Sequence, residues 1–233
     1  MTTHLKHPSK ARQDAEQGMT VVSNLMSYTA TGAGKPRKEE TSLYLSTMVF
    51  LYAVWEDFVE QLAIEVNGHL ADAINPSLIS TEVRNNFVAD ATPWELSVDP
   101  GWRSLWKSRV KQMAIGNSAT EGKGGFGLNN ATLKNVNHLF QMAGLTTVKD
   151  TIKGPTVSQS VRLPAVLGHE NENAIPTKEM IEELFLIRCQ AVHSAKTIST
   201  LYKPEVRWWI EAVRKLIQDT DKQMRSYALA KVI

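Results

Sequence analysis

Arg188 and His193 are the two residues with the clearest potential for chemistry, and they lie in the segment IEELFLIRCQAVHSAK (181–196). On a helix that turns about 100° per residue, the apolar side chains of this segment fill one sector. Those side chains are Ile181, Leu184, Phe185, Ala191, Val192 and Ala195. Arg188 falls near the middle of that sector, where a guanidinium is costly unless it has a partner. The sequence therefore predicts a specific partner for this charge.

His193 follows Arg188 by five positions, which is about 140° around an ideal helix. The two side chains therefore do not stack within one helix. They could converge through the reach of Arg188, a bend after His193, or a two-fold dimer. The alternative is structural: a core carboxylate satisfies Arg188, and His193 lies on the surface. Glu56 and Asp57 interrupt the apolar face of a long helix and are natural partners for Arg188, because structural ion pairs also produce such patterns.

Aromatic and basic residues alternate at the start of the segment 101–145. Trp102 and Trp106 are four residues apart, which predicts a pair on the buried face of a helix. Six basic residues face a single acid, Glu121, in this segment. The basic residues are Arg103, Lys107, Arg109, Lys111, Lys123 and Lys134. The local excess of positive charge is available for RNA phosphates, and we predict RNA contacts from the first five of these residues.

Other motifs lack the context that their chemistry needs. Gly122, Gly124 and Gly127 match G-x-G-x-x-G, but nucleotide-binding loops of this kind follow a strand, and the preceding segment is predicted to be helical. We interpret it as a surface loop. The single Cys189 excludes an internal disulfide and a multi-cysteine zinc site. No H-E-x-x-H motif or clustered ligand set occurs, so we expect neither a metal nor a cofactor.

Helical periodicity dominates the chain, most strongly over 42–73, where apolar residues recur at spacings of three and four. Asn130 is predicted to cap a helix over 131–143, and Gly144 is predicted to close it. Further helices are predicted over 11–30, 78–91, 99–115, 177–195 and 204–230, with one short strand at 157–163. The sequence therefore predicts an all-α antiparallel helical bundle with a loop-rich insertion before the helix that carries Arg188.

Composition limits the class of protein. The chain has 233 residues, which is enough to bury a core without disulfides or metals. Hydrophobic residues make up 42% and charged residues 21%, as in globular proteins. The net charge of +2 implies no obligate polyanionic partner. No apolar signal segment or membrane span of about 20 residues is visible. We expect a cytoplasmic protein that forms a single domain overall, with an N-terminal helix and flexible segment at 1–40.

The arrangement Arg188-Cys-Gln-Ala-Val-His193 is an R-x4-H motif late in an all-α chain. It resembles the R-x4–6-H motif of the HEPN superfamily. Three other segments resemble elements of HEPN proteins, and they occur in the same order along the chain. Residues 46–63 resemble the long early helix with its aromatic-acidic step, 135–145 resemble the helix and glycine before the motif helix, and 204–230 resemble the closing helix. The chain is most similar to the RiboL-PSP-HEPN type, a group associated with bacterial conflict and phage defence, over about residues 40–230.

This resemblance implies a HEPN-like domain over 41–233 and a metal-independent endoribonuclease in an antiphage or toxin–antitoxin setting. Two subunits would pack as a homodimer so that both motifs line one cleft, and an antitoxin or another defence protein would be a partner. Arg188 would stabilise the charge that develops on the phosphate. His193 would act as general acid and base in attack by the ribose 2′-hydroxyl. DNA lacks this hydroxyl, so only RNA would be cut.

The motif departs from the family pattern at two positions. Cys189 stands where many members carry a polar residue, often Asn, and a thiol is a weak hydrogen-bonding group. Ser194 stands where glycine is common. Gln190 is a candidate to replace the missing polar group. The alternative function is therefore a catalytically weak or inactive HEPN-fold protein that binds RNA or acts as a scaffold.

Overall fold

A computed structural model of the chain describes residues 7–29, 38–88, 92–116, 127–128, 130–152, 175–193 and 201–232. These residues are mostly helical, which confirms the predicted all-α class. The helices are α1 (Lys10–Ser27), α2 (Lys38–Ala73), α3 (Thr81–Val83), α4 (Pro93–Val98), α5 (Gly101–Ile115), α6 (Leu133–Met142), α7 (Thr177–His193) and α8 (Lys203–Val232). Two-residue strands, β1 (Thr151–Ile152) and β2 (Ile175–Pro176), form the single ladder of the described part.

The predicted long helix is confirmed as α2, which ends at Ala73, just before Asn75 and Pro76. Asn75 caps a 3₁₀ turn over Pro76–Leu78 by accepting a hydrogen bond from the backbone N–H of Ser77. The helix predicted over 78–91 is only partly correct, because α3 has three residues and continues as a π-helical turn over Arg84–Val88. The strand predicted at 157–163 lies outside the described residues.

The helix predicted over 99–115 is confirmed as α5, which begins two residues later than predicted, at Gly101, and the short helix α4 before it was not predicted. Thr92 and Glu95 make a capping box that begins α4, with Pro93 in its first turn. Asp99 and Pro100 then interrupt the helical hydrogen bonding, and the Asp99 carboxylate accepts a hydrogen bond from Gly101 N at 2.9 Å. Local capping chemistry therefore starts α4 before the predicted boundary and starts α5 after it.

The two ends of α6 test two capping predictions. Asn130 does not cap the helix; instead the side chain of Thr132 accepts a hydrogen bond from Asn135 N. The prediction failed because both residue types suit an N-cap and the helix begins two residues later. Gly144 does close α6, with a φ of 82°. Leu145 N donates to the carbonyl of Phe140 at 2.8 Å, as in a Schellman motif.

The chain divides into two compact units that are built from interleaved segments. The first unit comprises Met1–Arg12, Val59–Val148 and Thr220–Ile233, and the second comprises Gln13–Phe58 and Lys149–Asp219. The core of the first unit includes Leu62, Val66, Leu70, Trp106, Leu139, Phe140 and Met224. The core of the second unit includes Met19, Met48, Leu51, Tyr52, Trp55, Leu184 and Trp209. The boundary expected at residue 40 stays a prediction.

Candidate functional site

The start of α7 is anchored in the second unit by the ladder between β1 and β2. Thr151 pairs with Pro176 in antiparallel register. The backbone N–H of Thr177 donates to the carbonyl of Asp150 at 2.8 Å, and Thr177 itself is fully buried. This anchor fixes the direction in which α7 carries Arg188 and His193.

Burial along α7 stops before the candidate residues. The buried side chains are Thr177, Met180, Ile181, Leu184 and Ile187. Beyond Ile187, the described residues of α7 are half-buried or exposed. Val192 is 54% exposed, although its place on the helix predicts an apolar contact. The C-terminal third of α7 therefore lies at the surface of the second unit.

Arg188 lies at the edge of this surface and is half-buried. Its guanidinium carbon is 5.7 Å from the centre of the Tyr52 ring on α2. Among the described residues, the guanidinium has no hydrogen-bond acceptor and forms no ion pair with Glu56 or Asp57. Within the described residues, the partner of this charge is therefore the aromatic face of Tyr52 and not the predicted carboxylate.

The proposed supporting residues lie on α2 and on α7 and differ in exposure. Glu56 is half-buried and Asp57 is exposed. Glu56 follows Tyr52 by four residues, so the two side chains share one side of α2. Gln190 is exposed on α7, and about 200° around the helix from Arg188. It points away from the guanidinium in a single chain.

His193 is the last residue of α7, and its side chain is exposed. Five residues of α-helix separate Arg188 from His193 by about 7.5 Å along the axis and about 140° around it. The helix is regular up to His193, and the bend considered after His193 lies outside the described residues. A single copy of α7 therefore presents the guanidinium and the imidazole in different directions.

A third ionisable group on α7 has an altered environment. Burial raises the pKa of the Glu183 carboxyl, whose side chain is half-buried. Glu183 precedes Arg188 by five residues, so it too lies about 140° from the guanidinium. It is therefore a structural feature of the helix and not a part of the Arg188 surroundings.

The basic residues of α5, in the first unit, divide into two groups. Arg103 donates from one guanidinium nitrogen to the carbonyl of Ala71 and from another to the carbonyl of Ile74 at 3.1 Å. Lys107 pairs with Asp72 at 2.5 Å. Both residues satisfy the C-terminal end of α2, where cations are favourable. They are held by the protein itself.

Arg109 and Lys111 form the second group, and both are exposed on α5. Arg109 reaches the amide oxygen of Gln112 at 3.3 Å, which is a surface contact between residues of the same helix. Lys123 lies outside the described residues. Of the residues predicted to contact RNA, these two are the ones whose described side chains face solvent.

The tryptophan pair on α5 belongs to the core, as predicted. Trp106 is fully buried and Trp102 is 6% exposed, and their rings stack with centres 6.0 Å apart. Each indole N–H has a carbonyl partner, Leu96 for Trp102 and Met142 for Trp106. These rings therefore do not offer a stacking surface for bases.

The described residues contain no group of three or more His, Cys, Asp or Glu side chains that could hold a metal ion. Cys189 is a free, half-buried thiol. Within the same residues, no helix is long and apolar enough to cross a membrane.

Sequence reasoning missed the aromatic pair beside Arg188. The Tyr52 and Phe185 rings lie 5.8 Å apart, tilted by 44°. Both residues fit the apolar periodicity of their helices, so the pattern marked them only as core. The spacing of Phe185 and Arg188, three residues on one helix, was the available signal that a ring and the guanidinium share a side.

Comparison of the chain with protein-family models, with curated proteins and with solved structures found no significant match. The all-α class therefore rests on the structure itself. The resemblance to the HEPN superfamily rests on the motif and the order of segments quoted above.

Proposed function

We propose that the chain is a metal-independent endoribonuclease of HEPN type with Arg188 and His193 as its catalytic residues. The observation that carries the proposal is the set of contacts that Arg188 makes. This guanidinium is half-buried against a ring, and it has no protein hydrogen-bond acceptor in the described part of the chain. A charge held in this way suits an anionic ligand such as an RNA phosphate, because the fork of donors matches two phosphate oxygens.

The reaction follows from the chemistry of the two side chains. His193 accepts the proton of a ribose 2′-hydroxyl, and that oxygen attacks the adjacent phosphorus. The phosphorus–oxygen bond to the next nucleotide breaks, and the leaving 5′-oxygen takes up a proton from a general acid. Arg188 stabilises the additional negative charge on the phosphate oxygens as the attack proceeds. The products are a 2′,3′-cyclic phosphate and a 5′-hydroxyl.

In a homodimer, Arg188 of one chain and His193 of the other would act on the same phosphate. Because Arg188 and His193 of one chain diverge by about 140°, one copy of the helix does not direct both groups at one phosphate. Packing of two α7 surfaces around a two-fold axis would place the Arg188 of one chain near the His193 of the other. The exposed apolar side chains of Leu186 and Val192, 49% and 54% exposed, are consistent with such an interface.

Replacement of His193 tests the proposal most directly. We expect His193→Ala to lower RNA cleavage by about 10²- to 10⁴-fold, the usual contribution of a general acid–base group. Folding should not change, because the side chain is exposed. His138→Ala is the matched control, since His138 is an exposed histidine on another helix. A substrate with a 2′-deoxynucleotide at the cut should resist cleavage. Equal cleavage by the wild type and His193→Ala would contradict the assignment.

The biological setting follows from the resemblance alone. In an antiphage or toxin–antitoxin role, expression of the wild-type chain should slow growth of the host, and His193→Ala should relieve this effect. A dedicated antitoxin or defence protein would then act by blocking the Arg188 surface. Growth inhibition that persists in His193→Ala would contradict a toxin role based on cleavage.

The alternative is an RNA-binding or scaffold protein that does not cleave. Cys189, at a position often polar in the family, favours this alternative, and so do the exposed Arg109 and Lys111 on α5. RNA binding without cleavage would support this alternative. The slope of log affinity against log salt concentration for single-stranded RNA should then fall by about 0.7 for each contacting basic residue that is replaced. Binding that is insensitive to Arg188→Ala would separate this surface from the candidate active site.

A further inference from the structure

We infer that Tyr52 is the positioning residue for Arg188: the face of its ring fixes the guanidinium beside the surface third of α7. The consequence for catalysis rests on the proposed ribonuclease function. The contact between Tyr52 and Arg188 does not depend on that function, so it can be tested whatever the activity of this protein is.

The geometry places a rigid ring against a flexible cation. The Tyr52 ring is 1% exposed and belongs to α2, whereas Arg188 belongs to α7. The guanidinium carbon lies 5.7 Å from the ring centre, inside the roughly 6 Å range of a cation–π contact. Phe185 lies against the same ring at 5.8 Å. The tyrosine therefore contacts two residues of α7, Phe185 before the surface third of the helix and Arg188 at its start.

The ring supplies what the missing hydrogen bonds would otherwise supply. An arginine side chain has many rotamers, so holding it in one conformation costs conformational entropy unless a contact stabilises that conformation. A carboxylate partner would hold the guanidinium but would also occupy its donors and neutralise its charge. An aromatic face attracts the cation electrostatically and leaves the N–H groups available. Preorganised charge of this kind is effective at a developing anion because it does not have to reorganise during the reaction.

The competing explanation is that Tyr52 only fills the core. Its position on α2, among buried apolar residues, is consistent with that role. The two explanations differ in what a leucine would do at this position. A leucine fills much of the same space and keeps apolar contact with Phe185, but it has no ring face for the guanidinium.

The experiment compares Tyr52→Phe, which keeps the ring, with Tyr52→Leu, which removes it. Tyr44→Leu is the control, because Tyr44 is a second buried tyrosine of α2, 3% exposed, with Glu40, Thr29 and Arg207 in its surroundings. The first readout is the NMR signal of the Arg188 side-chain Nε–H in the full ¹⁵N-labelled chain, assigned by its loss in Arg188→Lys. The second is the separate measurement of kcat and KM for RNA cleavage.

We expect the Arg188 signal to be shifted by the ring current in the wild type and in Tyr52→Phe, and to move to the position of an unconstrained arginine in Tyr52→Leu. We expect Tyr52→Leu to lower kcat about tenfold, equivalent to 1.36 kcal/mol and within the range of a partly desolvated cation–π contact. KM should change little. Tyr52→Phe and Tyr44→Leu should stay within about twofold of the wild type, well inside that range.

An unshifted Arg188 signal in the wild type overturns the inference, and so does a folded Tyr52→Leu variant with unchanged kcat. If Tyr52→Leu does not fold, the wild-type and Tyr52→Phe spectra decide by the presence or absence of the shift. If the wild-type protein cleaves no RNA, the proposed function fails, and the NMR comparison alone decides whether Tyr52 holds Arg188.

Discussion

Replacement of Arg103 separates a structural arginine from one that contacts RNA. The guanidinium donates to two carbonyls at the end of α2 and lies 4.5 Å from the centre of the Trp102 ring. Hydrogen bonds to a charged group contribute about 1.5–3 kcal/mol each when buried, and a cation–π contact at a partly exposed site contributes about 0.5–1 kcal/mol. Arg103 is half-buried, so water can replace part of what is lost. We expect Arg103→Met to lower the free energy of unfolding by about 2 kcal/mol.

Two neighbouring basic residues of α5 provide smaller expected losses of stability with which the loss in Arg103→Met can be compared. Lys107→Met removes an ion pair with Asp72 in which both side chains are more than one-third exposed, so it should cost less than about 1 kcal/mol. Arg109→Met removes an exposed side chain and should stay within about 0.5 kcal/mol of the wild type. Urea denaturation followed by circular dichroism gives the three values. Equal stability of Arg103→Met and Arg109→Met would refute the assignment of Arg103 to the end of α2.

RNA binding provides the second half of the same experiment. If the exposed residues contact phosphates, Arg109→Met and Lys111→Met should each reduce the salt dependence of RNA binding by a slope of about 0.7. Arg103→Met should leave that slope unchanged, because its donors are directed to backbone carbonyls. Fluorescence anisotropy with a labelled single-stranded RNA at several salt concentrations measures the slope. An equal reduction by all three variants would show that Arg103 also faces the nucleic acid.

Two further predictions concern stability. Gly144→Ala should destabilise the protein by about 2 kcal/mol or more in urea denaturation. The reason is that φ is +82° and an added Cβ would lie 2.7 Å from the Trp106 ring. The control is Gly68→Ala, which should be neutral or stabilising because a Cβ there meets nothing within 4 Å. Glu183→Gln should stabilise the protein at pH 7 but not below about pH 4, because the folded state holds the Glu183 proton more tightly and its advantage is lost as pH rises through 4.5 towards the raised pKa. A denaturation midpoint difference that is independent of pH would contradict this.

The sequence predicts well those features that depend on nearby residues. The apolar stripe of α2, its end before Pro76 and the glycine that closes α6 are all set by local chemistry, and all three are present. The predicted cap at Asn130 failed because Thr132, two residues later, is an equally good capping group, and α5 begins two residues after its predicted start. A short range of positions competes for each helix end, and periodicity does not choose among them.

Contacts between distant segments could not be predicted in the same way. The acceptors of Arg103 are carbonyls about thirty residues earlier in the chain, and backbone carbonyls leave no mark in a sequence. Tyr52 beside Arg188 was equally hidden, because a tyrosine in an apolar stripe looks the same whether or not a guanidinium lies over it. The carboxylates Glu56 and Asp57 were the visible candidates, and sequence reasoning favours charged partners over aromatic ones.

The arginines of this chain show what distinguishes a binding group from a structural one. Arg225 lies 3.6 Å from a carboxylate oxygen of the fully buried Asp221, within ion-pair range, and Arg103 donates to two backbone carbonyls; each guanidinium serves an oxygen of the protein itself. Arg188 serves none within the described residues, although it is half-buried and ordering it is unfavourable. Burial and an aromatic neighbour are common to Arg103 and Arg188, so neither property identifies a site. The difference lies in the hydrogen-bond acceptors, and an anionic ligand is the group that would supply them to Arg188.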